Sequence, residues 1–556
     1  MEGSTRDERP AIVAVDPDGE AIRRIGDELR RYERDYRIVC GESIEDAFRE
    51  LEAMRRNGDR VAVVLAARGE GRVQGEELLE RVTDLHPLAK RGLLIEFGAW
   101  GDEDTAGVIH EAMARGHIDY YVLKPWSEPD ELFHRTICEF LHEWRRATAQ
   151  GRRELTVVAD RFSPRGFELR NLLARNGVPH AFSASDSEEG RGLLEACGRS
   201  DSGEPIVILP DNSVLVDPSN QDLAEKGYRV WTRLEQGSGP FDVAIVGAGP
   251  AGLAAAVYAS SEGLRVAVVE QESIGGQAGS SARIRNYLGF QRGISGGELA
   301  TRAYQQAWVF GTKFLLMREV ERLRTRDRGH VMTISDGSQI EARSVVLATG
   351  VAYRRLGIPA VEGFCGRGVF YGYSSSDAHQ VAGGRIFVVG AGNSAGQAAV
   401  HLSRYADVTI LCRRATLGEG MSRYLRDEIE AAGVHVRLST IIVGASGDGR
   451  LQEVTLRHSS GDRDAVPADA VFVLIGGQPR GDCLPQEVER DDKGFILTGG
   501  GEHMFETSLP GVFAVGDVRA GSVKRVASAV GEGAVVIPQV HRYLAELDAA
   551  TSRACG

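Results

Sequence analysis

One pattern occurs twice in this chain and constrains its fold more than any other feature. Asp242-Val243-Ala244-Ile245-Val246 is an apolar strand that runs into Gly247-Ala248-Gly249-Pro250-Ala251-Gly252, and Ala254–Ser260 continues as a helix. In a strand–turn–helix setting each glycine has a physical task. Gly247 permits the tight turn, Gly249 lets backbone approach a pyrophosphate, and Gly252 lets helix and strand pack closely. Pro250 and Ala251 fill the opening of the helix, whose free N–H groups and dipole favour an anion. The next strand, Arg265–Val269, ends in Glu270, 23 residues after Gly247. A carboxylate there suits the hydroxyls of a dinucleotide ribose.

The pattern then recurs. Arg385–Val389 leads into Gly390-Ala391-Gly392-Asn393-Ser394-Ala395, a helix follows through Gly396–Arg404, and the strand Val408–Leu411 ends in Cys412-Arg413-Arg414. Arg413 again lies 23 residues after the first glycine. Cations at this offset suit a ribose 2′-phosphate, so the second site is expected to take NADPH in preference to NADH. Arginines placed only as surface charges would have no reason to share the offset.

Composition locates the demand for such turns. Of 68 glycines in 556 residues, 45 follow residue 240, without a collagen or low-complexity pattern. At about 100–200 residues per domain the chain should hold three to five folding units. A net charge of −13 argues against a general nucleic-acid or anionic-membrane binder. The N-terminal residues have no apolar run of a secretory signal, and no apolar stretch approaches the length of a membrane span. Seven cysteines, none closer than 47 residues to the next, offer no C-x-x-C, zinc spacing or disulfide framework. A reducing cytoplasm is the expected location.

Further motifs follow the first turn. These are Gly275-Gly276-Gln277, Asn286-Tyr287-Leu288-Gly289, Ala348-Thr349-Gly350, Gly516-Asp517-Val518 and Arg525-Val526-Ala527. In this order, from Phe241 to about Leu544, they resemble the low-molecular-weight thioredoxin-reductase family. The resemblance implies two Rossmann-like domains: an FAD-binding domain (240–358 and 480–548) interrupted by an NADPH-binding domain (359–479). It also implies that Asp517 meets the flavin ribitol and that the protein is a homodimer.

The family's catalytic C-x-x-C-D would fall within Gly366-Arg367-Gly368-Val369-Phe370-Tyr371-Gly372-Tyr373-Ser374-Ser375-Ser376-Asp377. Tyr373 and Ser376 stand where the cysteines would be, so the internal electron carrier is missing. Asp377 and His379 are the candidate proton donors near the flavin; both could equally be solvated or capping residues.

Residues 9–148 and 153–233 read as two α/β units, bounded by polar seams at 145–153 and 235–240. The first resembles a response-regulator receiver, flavodoxin-like in fold. Asp16 and Asp18 follow its first strand and Lys124 its last, while Ala67 occupies the phosphoacceptor position and Gly98 the Ser/Thr position. An alanine cannot accept phosphate, which implies a docking domain; a generic flavodoxin-like spacer fits the same pattern. The second resembles a thioredoxin or glutaredoxin unit whose C-P-x-C falls on Ser163-Pro164-Arg165-Gly166, with no thiols to exchange. A helix is predicted over Gly166–Asn176.

The expected activity is NADPH-dependent reduction of FAD, with electrons leaving to an unidentified external acceptor: a quinone, a ferredoxin-like protein, a disulfide in trans or O₂. Two alternatives remain at this point. The chain could be a flavin-based redox sensor acting on a protein partner through its N-terminal units, or it could reduce thioredoxin directly with the dithiol supplied in trans.

Overall fold

The computed structural model describes all residues except 1–8, 69–74, 100–101, 127–128, 149–154, 200–202, 228–239, 282, 327–328, 374–380, 419, 482, 501–502 and 556. It divides into two compact units, Met1–Arg152 and Arg153–Gly556. Each is described by itself.

In the first unit the strands β1 (Ala11–Val15), β2 (Arg37–Gly41), β3 (Val61–Ala67), β4 (Lys90–Ile95) and β5 (Tyr120–Leu123) alternate with helices α1 (Gly19–Leu29), α2 (Ile44–Asn57), α3 (Gly75–Leu85), α4 (Glu103–Ala114) and α5 (Glu131–Thr148). The sheet order is β2-β1-β3-β4-β5 and every pair is parallel. This is a doubly wound arrangement, and it explains why β1 and β3 read as unbroken apolar runs: helices cover both faces. β2 escapes a reading by apolar runs because it is a half-exposed edge strand, Arg37-Ile38-Val39-Cys40-Gly41.

The second unit begins with a small mixed sheet, β6 (Thr156–Ala159), β7 (Ala181–Ala184), β8 (Ile206–Ile208) and β9 (Val214–Val216), in the order β7-β6-β8-β9. Around it lie α6 (Pro164–Arg175), α7 (Glu188–Ala196) and the short α8 (Asn220–Asp222). α6 starts two residues before the predicted Gly166 because Ser163 caps it, its Oγ accepting the Gly166 N–H at 3.0 Å, and Pro164 fits the first turn.

Next come β10 (Phe241–Val246), α9 (Pro250–Ser261), β11 (Val266–Glu270), α10 (Gly276–Gly279), α11 (Gly296–Val309), β12 (Lys313–Leu316), β13 (Val320–Arg326), β14 (Gly329–Ile334) and β15 (Gln339–Leu347). The chain crosses through β16 (Val351–Tyr353) into a second lobe: α12 (Pro359–Glu362), β17 (Val369–Tyr371), β18 (Arg385–Val389), α13 (Asn393–Leu402), β19 (Asp407–Leu411), α14 (Arg423–Ala431), β20 (His435–Arg437), β21 (Thr440–Ser446), β22 (Glu453–His458), β23 (Arg463–Pro467) and β24 (Ala470–Val473). It returns through β25 (Gly477–Pro479), which pairs antiparallel with β16, and ends with β26 (Val512–Ala514) and α15 (Val526–Cys555). The first lobe is a seven-stranded sheet, β12-β11-β10-β15-β14-β13 with β26 beside β15. The second pairs a five-stranded sheet, β17-β24-β18-β19-β20, with the antiparallel meander β21–β23. Each glycine turn leaves the carboxyl end of a central parallel strand, the usual place for a ligand in such sheets.

Candidate functional site

At the first turn Gly247 and Gly252 make the tight turn and the close helix–strand packing that their spacing predicts. Gly247 has φ of +104°, and a Cβ there would lie 2.4 Å from the Ala348 carbonyl oxygen. A Cβ on Gly252 would come within 1.9 Å of the Gly247 oxygen, so α9 can seat on β10 only without a side chain. Gly249 faces open space, with no atom within 4 Å of a Cβ built there. Gly249 thus leaves the α9 N-terminus uncrowded, and the free N–H groups and dipole there favour an anion such as a pyrophosphate. Pro250 opens the helix, and Ala251 packs so closely on Gly516 that a Cβ on the latter would sit 2.9 Å from its methyl.

Glu270 is buried and does more than face a ribose. One carboxylate oxygen accepts the Ala248 N–H at 2.7 Å, and the other accepts those of Glu272 and Ser273 at 2.9 and 3.2 Å. It therefore pins the turn from behind.

The other first-lobe motifs converge on the same end. Gly275 and Gly276 both have positive φ, and the Gly275 N–H reaches the Ala248 carbonyl at 2.7 Å. Gln277 donates its side-chain amide to the Val351 carbonyl at 2.6 Å, tying this loop to β16. The Thr349 hydroxyl donates to the Arg480 carbonyl at 2.6 Å, and Gly350 turns with φ of +66°. Asn286 is exposed on its loop.

The Gly516 N–H donates to Glu532 at 2.7 Å, and Glu532 is held by Arg519 at 2.7 Å. Burial pushes the Asp517 carboxyl above the usual aspartate range, and no described residue donates a hydrogen bond to it. A half-buried carboxylate left for a ligand hydroxyl fits the ribitol chain of FAD. Arg525 precedes α15 and its carbonyl accepts the Ala529 N–H at 3.0 Å, leaving Val526 and Ala527 to open that helix toward the same end.

The second turn is built alike but finished differently. Gly390 has φ of +150° and abuts the Leu474 carbonyl oxygen, 2.4 Å from a built Cβ. Gly392 opens α13 with an extended backbone. Ala395 stands at the third glycine position and is fully buried. Asn393 accepts the Ser422 N–H at 2.8 Å, Ser394 is exposed in the first helical turn, and Arg413 and Arg414 are exposed past the buried Cys412.

Of the segment matching the family's disulfide, Tyr373 is described: its hydroxyl bonds His401 Nδ1, and its ring lies edge-on to Phe472 at 5.7 Å. Asp377, His379 and Ser376 lie outside the described residues. Cys365, upstream, is free and its thiol is pushed up by burial. In the first unit Lys124 bridges Asp16 at 2.8 Å and Glu96 at 3.0 Å, and Asp18 caps α1.

Reasoning from motifs missed the residues that brace the site, Glu532, Arg519, Arg480 and Glu272. None of the four belongs to a motif; Arg480 and Glu272 pair across 208 positions, Arg519 and Glu532 across 13.

Two glycine turns in one unit, each leaving a strand flanked by parallel neighbours and joined through a two-stranded crossing, have the form of a two-dinucleotide oxidoreductase. A family model described as pyridine nucleotide-disulphide oxidoreductase matches residues 241–533. The thioredoxin reductase of Treponema pallidum is 35% identical over 306 residues, covering 55% of this chain and 97% of that protein. That of Mycolicibacterium smegmatis is 34% identical over 314 residues, covering 55% and 97%. Among solved structures, thioredoxin reductase from T. acidophilum aligns with a TM-score of 0.51 at 30% identity, covering 55% of this chain and 99% of its own. The Lactococcus lactis enzyme, in a state titled FR conformation, gives 0.52 at 27%, with the same coverage.

The chain belongs to the pyridine nucleotide-disulphide oxidoreductase family, among its thioredoxin-reductase-like members. It is a flavin-dependent NADPH oxidoreductase, and FAD and NADPH are its cofactors. Among the described residues no helix is long and apolar enough to cross a membrane.

Proposed function

We propose that this enzyme draws electrons from NADPH through FAD and hands them to an acceptor outside its own chain. The observation that carries this reading is Tyr373. It stands where the resemblance puts the first redox cysteine, and its phenol is engaged with His401. The flanking cysteines, Cys365 eight residues before it and Cys412 39 after, are both outside any disulfide and 47 residues apart. When bound, the two cofactors supply the two-electron transfer, from nicotinamide to flavin and from flavin to acceptor.

The chain's own residues bind and orient. Gly247, Gly249 and Gly252 with the α9 N-terminus hold the FAD pyrophosphate, Glu270 stiffens that turn, and Asp517 takes the ribitol. Gly390, Gly392 and α13 hold the NADPH pyrophosphate, with Asn393, Ser394 and Ala395 opening the helix. Arg413 and Arg414 select the 2′-phosphate. Asp377 and His379 are proposed as proton donors on the acceptor side. An acceptor screen with NADPH against quinones, ferredoxin, thioredoxin and O₂ tests the reading; turnover supported by none of them, in protein whose FAD is reduced by NADPH, would overturn it.

The N-terminal units are proposed as docking domains. The order β2-β1-β3-β4-β5, with Ala67 ending β3, supports a receiver that cannot be phosphorylated. Lys124 between Asp16 and Glu96 supports the second reading, a redox sensor that signals through this unit without phosphate chemistry. The mixed sheet β7-β6-β8-β9 supports a thioredoxin-like unit without thiols. Homodimerisation is proposed from the resemblance and is checked by sedimentation. Free, sparse cysteines support a reducing compartment such as the cytoplasm.

A further inference from the structure

The two lobes are joined covalently only through β16 and β25, three residues each. A connection this thin is a hinge, and two three-residue strands by themselves leave its angle soft. The small β6–β9 segment supplies what the hinge lacks, because its helix α6 touches both lobes, one at each end.

At the N-terminal end, Phe167 lies against Phe370 of the second lobe with ring centroids 4.8 Å apart. The Arg450 guanidinium of the same lobe sits 5.0 Å over the Phe162 ring. Gly366, at φ of +75°, comes so close that a Cβ there would be 2.9 Å from Pro164. Pro164 lies within, and Phe162 and Phe167 directly flank, the stretch Ser163 to Gly166 where a thioredoxin-like unit would carry its cysteines.

About 18 Å away along twelve residues of helix, the other end holds the first lobe. Arg175 pairs with Glu272 at 2.7 Å, and Asn176 donates to the Glu272 carbonyl at 3.2 Å. Glu272 is also bound by Arg480 at 2.8 Å, the residue that directly follows β25. Burial alone would raise the Glu272 carboxyl; the two guanidiniums outweigh it and hold the group below the usual glutamate range. The ionic contact therefore sits on the hinge itself.

The angle held this way brings the loop after the first glycine turn against α14, the helix that opens beside the second. Arg285, beside Asn286 of the flavin-side loop, lies 3.9 Å from Glu428 on α14. Ser422, which opens α14, binds Asn393 of the second glycine turn.

We propose that the β6–β9 segment is a clamp across the hinge, with Phe167 and Arg175 as its two jaws, holding the NADPH lobe turned toward the flavin. The proposal rests on the reading that the lobes carry FAD and NADPH. A segment packed on one lobe only would leave the hinge free; contact at both ends of one rigid helix does not.

Hydrogen exchange by mass spectrometry on the full FAD-bound chain tests this, comparing wild type with Phe167→Ala/Arg175→Ala and with Arg175→Lys. The double variant should exchange about tenfold faster at Val351–Tyr353 and Gly477–Gln478. Its flavin spectrum and the protection of β6 should stay native, and NADPH should bleach its flavin about tenfold more slowly. Arg175→Lys should fall between the two. Unchanged hinge exchange in a variant with native β6 protection overturns the clamp. If the double variant loses β6 protection, Arg175→Ala alone decides by the same hinge readout, since that side chain lies outside the segment's apolar core. Faster hinge exchange without NADPH bleaching in any of the proteins would leave the clamp standing and overturn the NADPH reading instead.

Discussion

At the first glycine turn the residue 23 positions on is Glu270, buried and bound to three backbone N–H groups; at the second it is Arg413, exposed to solvent. The helix–strand contact differs in the same sense. Gly252 meets backbone at a distance no side chain tolerates, whereas Ala395 fits at the equivalent place with its methyl buried. The first turn is braced from inside by Glu270, by the Gly275–Ala248 bond and by the Glu532–Arg519 pair behind Gly516. The second shows a side-chain bond in which the Ser422 N–H donates to Asn393, with exposed charges at its mouth. A group that stays bound rewards rigid preorganisation; one that must enter and leave each cycle is better served by exposed cations that attract it and let it go. On the proposed assignment of FAD to the first turn and NADPH to the second, the two turns are one motif adapted to a resident group and to one that comes and goes.

Substitutions at matched positions can break that comparison, and Gly252→Val is expected to have the largest effect. The added side chain collides with the Gly247 carbonyl, so the protein should purify with FAD binding lost by at least about 100-fold, measured as flavin per chain and by titration. Ala395→Val, at the matched site, should weaken NADPH binding by about tenfold at most. Equal losses at the two sites would remove the distinction.

The double change Arg413→Ala/Arg414→Ala should raise KM for NADPH about 10–100-fold, leave KM for NADH nearly unchanged and spare kcat, as removal of charge-assisted phosphate contacts requires. A parallel rise for NADH would show the arginines to be structural. Rising salt should weaken NADPH binding by severalfold, because the pair is exposed and screened, while FAD occupancy should not respond.

The smallest effect concerns pH. The folded-state carboxyl of Glu272 lies below its ordinary value of 4.5. The stability it contributes is thus fully present above that value and lost as pH falls through the lower folded one. Hinge protection, corrected for intrinsic exchange, should be flat from pH 8 to about 5 and decline only below. A decline near pH 6–7 would point to a histidine.

Much of this architecture was legible in the sequence because it is local. β1, β3, β10, β11, β18 and β19 announce themselves as apolar runs, and the glycine turns by spacing. The edge strand β2 did not, since half of it faces water. β16 and β25 could not be read either: three-residue strands have no period, and they pair across more than 120 positions. The Arg480–Glu272 brace, 208 positions apart, was hidden for the same reason, as was the clamp; Glu532 pairs with Arg519 only 13 positions away but belongs to no motif. Ser163-Pro164-Arg165-Gly166 read as a lost thiol motif; that it packs against Gly366 follows from tertiary contact alone.

The most direct test of the account is an anaerobic titration of the purified FAD-bound protein with NADPH, following flavin absorbance. On the proposal that no internal disulfide intervenes, about one equivalent of NADPH per flavin should complete the bleaching. A requirement for two equivalents would reveal a second two-electron carrier within the chain and contradict an external acceptor as the first destination of the electrons.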